Sequence, residues 1–236
     1  GLISPRSVVR SHFPLPFKQN KHSKMKKEIK KYWNTYYKKK MNNQKPSNFS
    51  YFISKKYLKK HNVLLDIGTG NGRDAFHFTK KVKFIYGIDI SNVVIKHNTK
   101  QAKLLNLKNI LFKNISIIYL NKIKNKKIDF IYGRFFLHAI DNVKENIFLN
   151  NLKKYFNIGT CVALEFRTTK DKLIKIGKKI GKYERITDHY RRFIKVKNFE
   201  KKLKAKKFKI IYKKQGINLS KTKNENPHLC RLIFKI

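Results

Sequence analysis

Three glycines at alternate positions, Gly68, Gly70 and Gly72, lie in the stretch LLDIGTGNGRD, directly after the acidic residue Asp66. Glycine adopts positive φ angles easily and lets a ligand approach the backbone more closely than any Cβ would permit. A helical pattern begins directly afterwards, and the N–H groups at the start of a helix would face such a ligand. The stretch is therefore predicted to be a strand, a ligand-binding loop and a helix.

A second carboxylate, Asp89, ends the next apolar run, at residues 84–88. Two carboxylates at the ends of adjacent parallel strands suit a ligand with a charged amine at one end and a ribose diol near its middle. A glycine-rich loop alone also fits a nicotinamide dinucleotide site, or a structural turn that binds nothing. The position of Asp66 before the glycines favours the first ligand over a nicotinamide dinucleotide, and three glycines would be needless in a structural turn.

This order of residues resembles the class I S-adenosylmethionine-dependent methyltransferases, whose first motif reads acidic-x-Gly-x-Gly-x-Gly. The resemblance implies an α/β fold and S-adenosylmethionine as the cofactor. It also implies that the glycine loop and Asp66 surround the methionine part of the cofactor, while Asp89 contacts the ribose hydroxyls. The predicted cofactor-binding residues are Trp33, Asp66, Gly68, Thr69, Gly70, Asn71, Gly72, Arg73, Asp89, Ile90, Asn114, Ile115 and Gly133.

Asn114 departs from the family pattern, because it ends the predicted third strand where the family commonly has an Asp that contacts the adenine amino group. The carbonyl oxygen of Asn can accept the same hydrogen bond.

The stretch IDFIYGRFFLHAI, after the predicted fourth strand, supplies the candidate catalytic residues Arg134 and His138. In doubly wound sheets, ligands lie beyond the carboxyl ends of the strands, so this stretch is expected to face the reacting methyl group. The two residues are four apart and would share a face if the turn were helical. His138 is a candidate general base for a hydroxyl acceptor. Alternatively, it packs against the cofactor or caps the helix.

Arginines stand out in a chain that mostly uses lysine. Arginine binds phosphate or carboxylate through two parallel hydrogen bonds, whereas lysine offers only a point charge. The alternative is a solvated basic loop. The predicted substrate-binding residues are Arg134, Arg167, His189, Tyr190, Arg191 and Arg192.

Alternating strand and helix patterns predict a doubly wound, Rossmann-like sheet. Seven strands are expected near residues 63–67, 84–88, 109–114, 127–132, 161–166, 208–215 and 229–236. The family resemblance implies that the last strand is antiparallel and lies between the fifth and the sixth.

Residues 1–24 contain three of the five prolines and no acid, and they are expected to be a disordered or extraneous tail. Residues 25–236 form the predicted methyltransferase domain. Within it, residues 25–60 resemble the helical lid of small-molecule methyltransferases, which implies that the aromatic string YWNTYY lies over the cofactor pocket. An aromatic stripe that packs on the core is the alternative. Residues 168–195 are expected to be an insertion on the substrate side.

The 236-residue chain has 58 Lys and Arg against 13 Asp and Glu, so its formal net charge is +45. Such a charge attracts nucleic acid or an anionic membrane surface. A compositional bias is the competing explanation, since the lysines are spread along the chain. Cys161 and Cys230 lack metal-ligand spacing, and no metal is predicted. They are expected to be reduced core residues of a cytoplasmic protein. No apolar stretch approaches the roughly 20 residues of a membrane span.

The later strings GRFFLHAI, EFRTTKD and TDHYRRF resemble methyltransferases of bacterial capsule and other surface-polysaccharide pathways. This resemblance implies O-methylation of a small anionic acceptor such as a sugar, a sugar phosphate or a polyol phosphate. Two alternatives remain open. One is an RNA methyltransferase, although the Asn/Asp-Pro-Pro-aromatic signature is absent after the fourth strand. The other is a non-catalytic binding domain with a methyltransferase-like fold.

Overall fold

The computed structural model describes residues 31–38, 45–123, 127–222 and 224–236. The predictions for the tail 1–24 and for residues 25–30 and 39–44 of the lid lie outside the described residues.

Ten strands form in the described part of the chain. In chain order they are β1 Val63–Ile67, β2 Phe84–Asp89, β3 Ile110–Asn114, β4 Phe130–Arg134, β5 Cys161–Arg167, β6 Lys178–Gly181, β7 Glu184–Ile186, β8 Tyr190–Arg192, β9 Lys209–Gly216 and β10 Leu229–Lys235. Seven of them build one sheet in the order β3-β2-β1-β4-β5-β10-β9. Strands β1 to β5 pair in parallel, and β10 is antiparallel to both β5 and β9. The predicted Rossmann-like sheet with its antiparallel last strand is confirmed.

The helices connect the strands across both faces of the sheet. Residues 31–38 form α1. The remaining α-helices are α2 Asn48–Lys56, α3 Arg73–Phe78, α4 Asn92–Leu104, α5 Asn142–Tyr155 and α6 Val196–Ala205. Short polar side chains begin several of them: Ser47, Ser91 and Asp141 each accept a hydrogen bond from a backbone N–H of the first turn. The turn after β4 is a single 3-10 turn at Leu137–Ala139, so the condition under which Arg134 and His138 would share a face of an α-helix is not met.

The core consists of two apolar clusters, one on each face of the sheet. Successive residues of a strand face opposite sides, so Leu65 and Ile67 belong to one cluster and Leu64 to the other. Because helices cover both faces, the carboxyl ends of the parallel strands are the edge left for a ligand. None of the described helices combines the length and the apolar character that a membrane span requires.

Two features differ from or extend the sequence prediction. The insertion after β5 contains a small antiparallel sheet, β6-β7-β8, which the sequence pattern did not reveal. Both cysteine thiols are free, and burial raises the pKa of Cys161 to about 11 and that of Cys230 to about 12, so both stay protonated at neutral pH.

Candidate active site

A cavity of about 790 Å³ opens at the carboxyl ends of the parallel strands. This volume lies within the range of about 300–1,000 Å³ that is typical of small-molecule sites. One side, the glycine-loop half, is formed by Asp66, the loop Gly68–Arg73 and Asp89. The other side, the arginine half, is formed by Arg134, His138, Arg167, His189 and Arg191.

The glycine loop has the backbone geometry that the sequence predicts. Gly68, Gly70 and Gly72 have φ angles of +68°, +53° and +77°, a region that favours glycine over residues with a Cβ. At Gly70 a Cβ would also lie 2.5 Å from the hydroxyl oxygen of Tyr37 in α1. Glycine at this position therefore allows both the turn and the close approach of α1.

Asp66 is a buried carboxyl group at the end of β1. The hydroxyl of Thr69 donates a hydrogen bond of 2.7 Å to it. Burial outweighs this bond and raises the pKa of Asp66 to about 8. The ligand-free protein therefore holds Asp66 mostly protonated at neutral pH, and a ligand ammonium beside it would favour the carboxylate.

Asp89 lies at the end of β2, next to the glycine loop. One of its oxygens accepts a hydrogen bond of 3.1 Å from the N–H of Gly70, and the other accepts one of 2.9 Å from the N–H of Ser91. Each carboxylate oxygen accepts more than one hydrogen bond. Asp89 thus holds the loop in place and keeps acceptor capacity for hydroxyl groups of a ligand.

Arg134 is held by the carboxylate of Glu165, which is buried and does not line the cavity. Its Nε donates a hydrogen bond of 3.0 Å to Glu165, which is fully buried. Glu165 also accepts from Nε of Arg231 at 2.7 Å and from the hydroxyl of Ser220 at 2.9 Å. Since one carboxylate is shared by two guanidinium groups, the cluster keeps one positive charge.

Phe135 supports the same guanidinium from its flat side. The central carbon of Arg134 lies 4.0 Å from the centroid of the Phe135 ring. Phe135 itself has a φ of +58°, which is uncommon for a bulky residue and typical of functional sites.

The two histidines of the cavity have opposite hydrogen-bond environments. Nδ1 of His138 accepts a hydrogen bond of 3.3 Å from the backbone N–H of Arg167. Burial holds the pKa of His138 well below its usual value. The neutral ring therefore carries its proton on Nε2, which opposes the predicted role of His138 as a base. His189 instead has Asp188 and Tyr32 beside Nδ1, each at 3.0 Å.

The α1 helix contacts both halves of the cavity. The hydroxyl of Tyr32 donates a hydrogen bond of 2.9 Å to Asp188 in the insertion. On the glycine-loop side, the hydroxyl of Ser91 donates to the side-chain oxygen of Asn34 at 2.6 Å. The aromatic side chains Trp33, Tyr36 and Tyr37 line the space between.

Comparison with known proteins assigns the chain to a family. A family model described as a methyltransferase domain matches residues 58–195, more than half of the chain. The chain belongs to this methyltransferase family. The membership confirms the expected class, the S-adenosylmethionine-dependent methyltransferases, and with it the cofactor.

A curated relative is the probable cobalt-precorrin-6B C(15)-methyltransferase (decarboxylating) of Methanococcus maripaludis. It is 28% identical over 102 residues, which are 43% of this chain and 53% of the relative. The match therefore spans about half the length of that protein. This relative therefore gives no support to the resemblance between the sequence strings and the methyltransferases of surface-polysaccharide pathways.

Solved structures share the fold. An S-adenosylmethionine-dependent methyltransferase from Clostridium acetobutylicum has a TM-score of 0.65 at 16% identity, covering 92% of this chain and 98% of that one. One from Methanosarcina mazei has a TM-score of 0.67 at 18% identity, covering 78% and 96%.

Most of the predicted site residues of this methyltransferase line one cavity. They are Trp33, Asp66, Gly68, Thr69, Gly70, Asn71, Arg73, Asp89, Ile90, Ile115, Arg134, His138, Arg167, His189 and Arg191. Those that do not line it are Gly72, Asn114, Gly133, Tyr190 and Arg192. The amide of Asn114 donates to the backbone oxygen of Asp89 at 2.8 Å, so it braces the end of β2.

The predicted substrate-binding residues Tyr190, Arg191 and Arg192 lie in strand β8, so their side chains do not all face the cavity. Tyr190 and Arg192 point away from Arg191 because side chains of β8 alternate between faces. Tyr190 donates to Glu184 at 2.7 Å, and Arg192 pairs with Glu145. Arg167 lines the cavity, but its guanidinium already binds Asp171 and Glu225.

Several lining residues were missed by the sequence reasoning. They include Asp74, Tyr119, Tyr132, Phe136, Lys144, Asp188, Ser220 and Thr222. The scarcity of acidic residues could have indicated Asp74 and Asp188. In a chain with only 13 acidic residues against 58 basic ones, each acidic residue is a candidate for a structural or functional role. The described residues contain no group of three or more His, Cys, Asp or Glu side chains arranged for a metal ion.

Proposed function

We propose that this protein transfers the methyl group of S-adenosylmethionine to a hydroxyl of a small anionic acceptor, such as a sugar, a sugar phosphate or a polyol phosphate. The proposal rests on Arg134. Its Nε is fixed by Glu165, while its two terminal nitrogens have no hydrogen-bond partner among the described residues. A guanidinium oriented in this way suits a phosphate or a carboxylate.

The glycine-loop half would hold the cofactor. Asp66 would pair with the ammonium of the methionine part, and Asp89 would accept hydrogen bonds from the ribose hydroxyls. The positive φ angles of the loop and the space at Gly70 support this assignment. When bound, the cofactor supplies a methyl group on a positively charged sulfur that departs as a neutral thioether.

The arginine half would hold the acceptor. Methyl transfer is an in-line displacement, so much of its rate can come from positioning two reactants in one enclosed site. Arg134 and Arg191 would orient the anionic group. His138, with its proton on Nε2, would donate a hydrogen bond to an acceptor oxygen.

Calorimetric titration of the protein with S-adenosylmethionine and S-adenosylhomocysteine tests the cofactor assignment. We expect micromolar binding by the wild type and a loss of at least about 100-fold in Asp89→Ala, since two ribose hydrogen bonds to a charged group are removed. No binding by the folded wild type would refute the proposed function.

A second experiment tests the acceptor class. Transfer of labelled methyl groups is measured with matched phosphorylated and unphosphorylated sugars and polyols. Arg134→Gln should raise KM for the phosphorylated acceptor about 10- to 100-fold, the value of a charge-assisted hydrogen bond. Arg185→Gln is the matched control, because Arg185 binds backbone oxygens of the insertion and does not line the cavity. An equal effect on the unphosphorylated acceptor would contradict an anion site at Arg134.

RNA is a second candidate substrate because of the net charge of +45. RNA that is methylated with salt-dependent affinity would favour it over the small acceptor. Binding of RNA without methyl transfer would report only the charge.

A further inference from the structure

We propose that His189, oriented by Asp188, is the general base that takes the proton from the acceptor hydroxyl. This inference rests on the proposed function and names a catalytic residue for it. It replaces His138 in a role for which the hydrogen bonds of His138 are unsuited.

The neighbours of Nδ1 determine which nitrogen of His189 carries the proton. The carboxylate of Asp188 can only accept a hydrogen bond. The hydroxyl of Tyr32 already donates to Asp188 at 2.9 Å, so its oxygen is also an acceptor toward His189. Because both neighbours are acceptors, Nδ1 carries the proton. Nε2 keeps its lone pair and is the nitrogen left for the cavity.

Asp188 is itself held in position. The hydroxyl of Thr187 donates to its second oxygen at 2.7 Å, and Arg191 donates to the same oxygen at 2.6 Å. Burial works against ionisation, yet these donors keep the pKa of Asp188 below its usual value. The carboxylate therefore remains charged and stabilises an imidazolium beside it, as in other carboxylate–histidine pairs.

The charges around His189 keep its ring neutral before the reaction. Burial and the positive charge of Arg191 lower its pKa to about 4, and Asp188 opposes them. Arg167 adds a smaller effect in the same direction as Arg191. An anionic acceptor next to the ring would raise this pKa, so the base becomes stronger when the substrate is bound.

The step balances as follows. The hydroxyl oxygen of the acceptor forms a bond to the methyl carbon while the carbon–sulfur bond breaks, and that electron pair stays on sulfur. The hydroxyl proton passes to Nε2 of His189. It then leaves to water along the exposed side of Asp188, whose side chain is 54% accessible.

A spectroscopic measurement on the ligand-free protein tests the tautomer without any turnover. Histidine side-chain ¹⁵N NMR near pH 7 should show Nδ1 protonated in His189 and Nε2 protonated in His138. The signals are assigned with His189→Gln and His138→Gln. A proton on Nε2 of His189 would overturn the proposal.

Kinetics test the role. His189→Gln should lower kcat about 10²- to 10⁴-fold, the usual contribution of a general base, with a smaller loss in His138→Gln. Asp188→Asn should also lower kcat, because its amide can donate to Nδ1 and favour the wrong tautomer. His61→Gln, on an exposed turn, is the matched control and should equal the wild type.

Loss of fold must be separated from loss of the base. Binding of S-adenosylhomocysteine and the far-UV circular dichroism spectrum should stay close to wild type in the variants, whereas the fluorescence of Trp33 should change in His189→Gln because the two rings lie 5.0 Å apart. Wild-type kcat in His189→Gln would overturn the base but leave the proposed function intact. Absence of methyl transfer by the wild type would overturn both.

Discussion

The two carboxylates of the glycine-loop half each have a partner close in the chain, whereas Arg134 in the arginine half is held by residues far apart in the chain. Thr69 binds Asp66 three positions away, and Ser91 binds Asp89 two positions away. In the arginine half, Glu165 binds Ser220 and Arg231, which are 55 and 66 positions away. The carboxylates of the glycine loop therefore belong largely to a short-range motif, whereas the cluster that holds Arg134 exists only in the folded chain.

The cavity and the whole chain also differ in charge. The chain carries 58 basic and 13 acidic residues, but the cavity is lined by equal numbers of each, Asp66, Asp74, Asp89, Asp188 and Glu225 against Arg73, Arg134, Lys144, Arg167 and Arg191. The excess of positive charge therefore lies outside the lining of the cavity, and the specificity of the cavity depends on which cations keep free donors.

The largest expected change in stability comes from a substitution that disrupts only the arginine half. Glu165→Gln removes the single anion shared by two buried guanidinium groups, and such a loss typically costs about 3–5 kcal/mol. Urea unfolding should show this drop, while S-adenosylhomocysteine binds the folded variant normally. Glu225→Gln is the control. That carboxylate is partly exposed and Arg167 keeps Asp171 as a partner, so less than about 1 kcal/mol should be lost.

A pH dependence should come from the same half. The folded protein lowers the pKa of His189 from 6.5 to about 4, so between these values the unfolded chain binds more protons. Stability therefore rises with pH in this window. Relative to His189→Gln, the wild type should lose up to about 3 kcal/mol from pH 7 to pH 4. Thermal unfolding across this range measures it, and parallel curves would contradict the shift.

Gly70→Ala tests the glycine-loop half, where it should weaken cofactor binding. The positive φ costs about 1–2 kcal/mol, and the new Cβ also meets the hydroxyl of Tyr37. We expect weaker cofactor binding, by about 10-fold or more, that Tyr37→Phe partly restores. Gly159→Ala separates the two causes, since Gly159 has a φ of +93° but open space around it. It should lower stability and leave binding unchanged.

Cofactor binding at pH 7 should release close to one proton. Asp66 is mostly protonated in the ligand-free protein because burial raises its pKa to about 8, and a ligand ammonium favours the carboxylate. Titrations in two buffers with different ionisation enthalpies count the protons. Asp66→Asn should release none, and an equal release in both proteins would exclude Asp66 as the source.

The smallest effect concerns the surface. Lys201→Glu and Lys204→Glu change exposed residues of α6, so stability should change by less than about 0.5 kcal/mol. Turnover of a small acceptor should be unchanged, whereas nonspecific RNA binding should weaken. If methyl transfer fell as much as RNA binding, the surface charge would take part in substrate binding, which would contradict a small acceptor.

The sequence alone predicted the seven strands of the large sheet and the glycine loop, whereas the family resemblance supplied the antiparallel last strand. This was possible because alternating apolar patterns and glycines with positive φ depend on neighbouring residues. The sequence could not show that His189 and Arg191 line the cavity while Tyr190 and Arg192 do not. The short strand β8, which places these side chains on alternate faces, has no clear signal in the sequence of the insertion.

Only the tertiary structure decided which charges pair and which nitrogen of each histidine carries the proton. Arg134, Arg167 and Arg192 look alike in the sequence, but one keeps free donors and the other two are occupied by Asp171, Glu225 and Glu145. The partner of a buried charge is set by contacts between distant segments, because desolvation makes an unpaired charge costly wherever the chain places it.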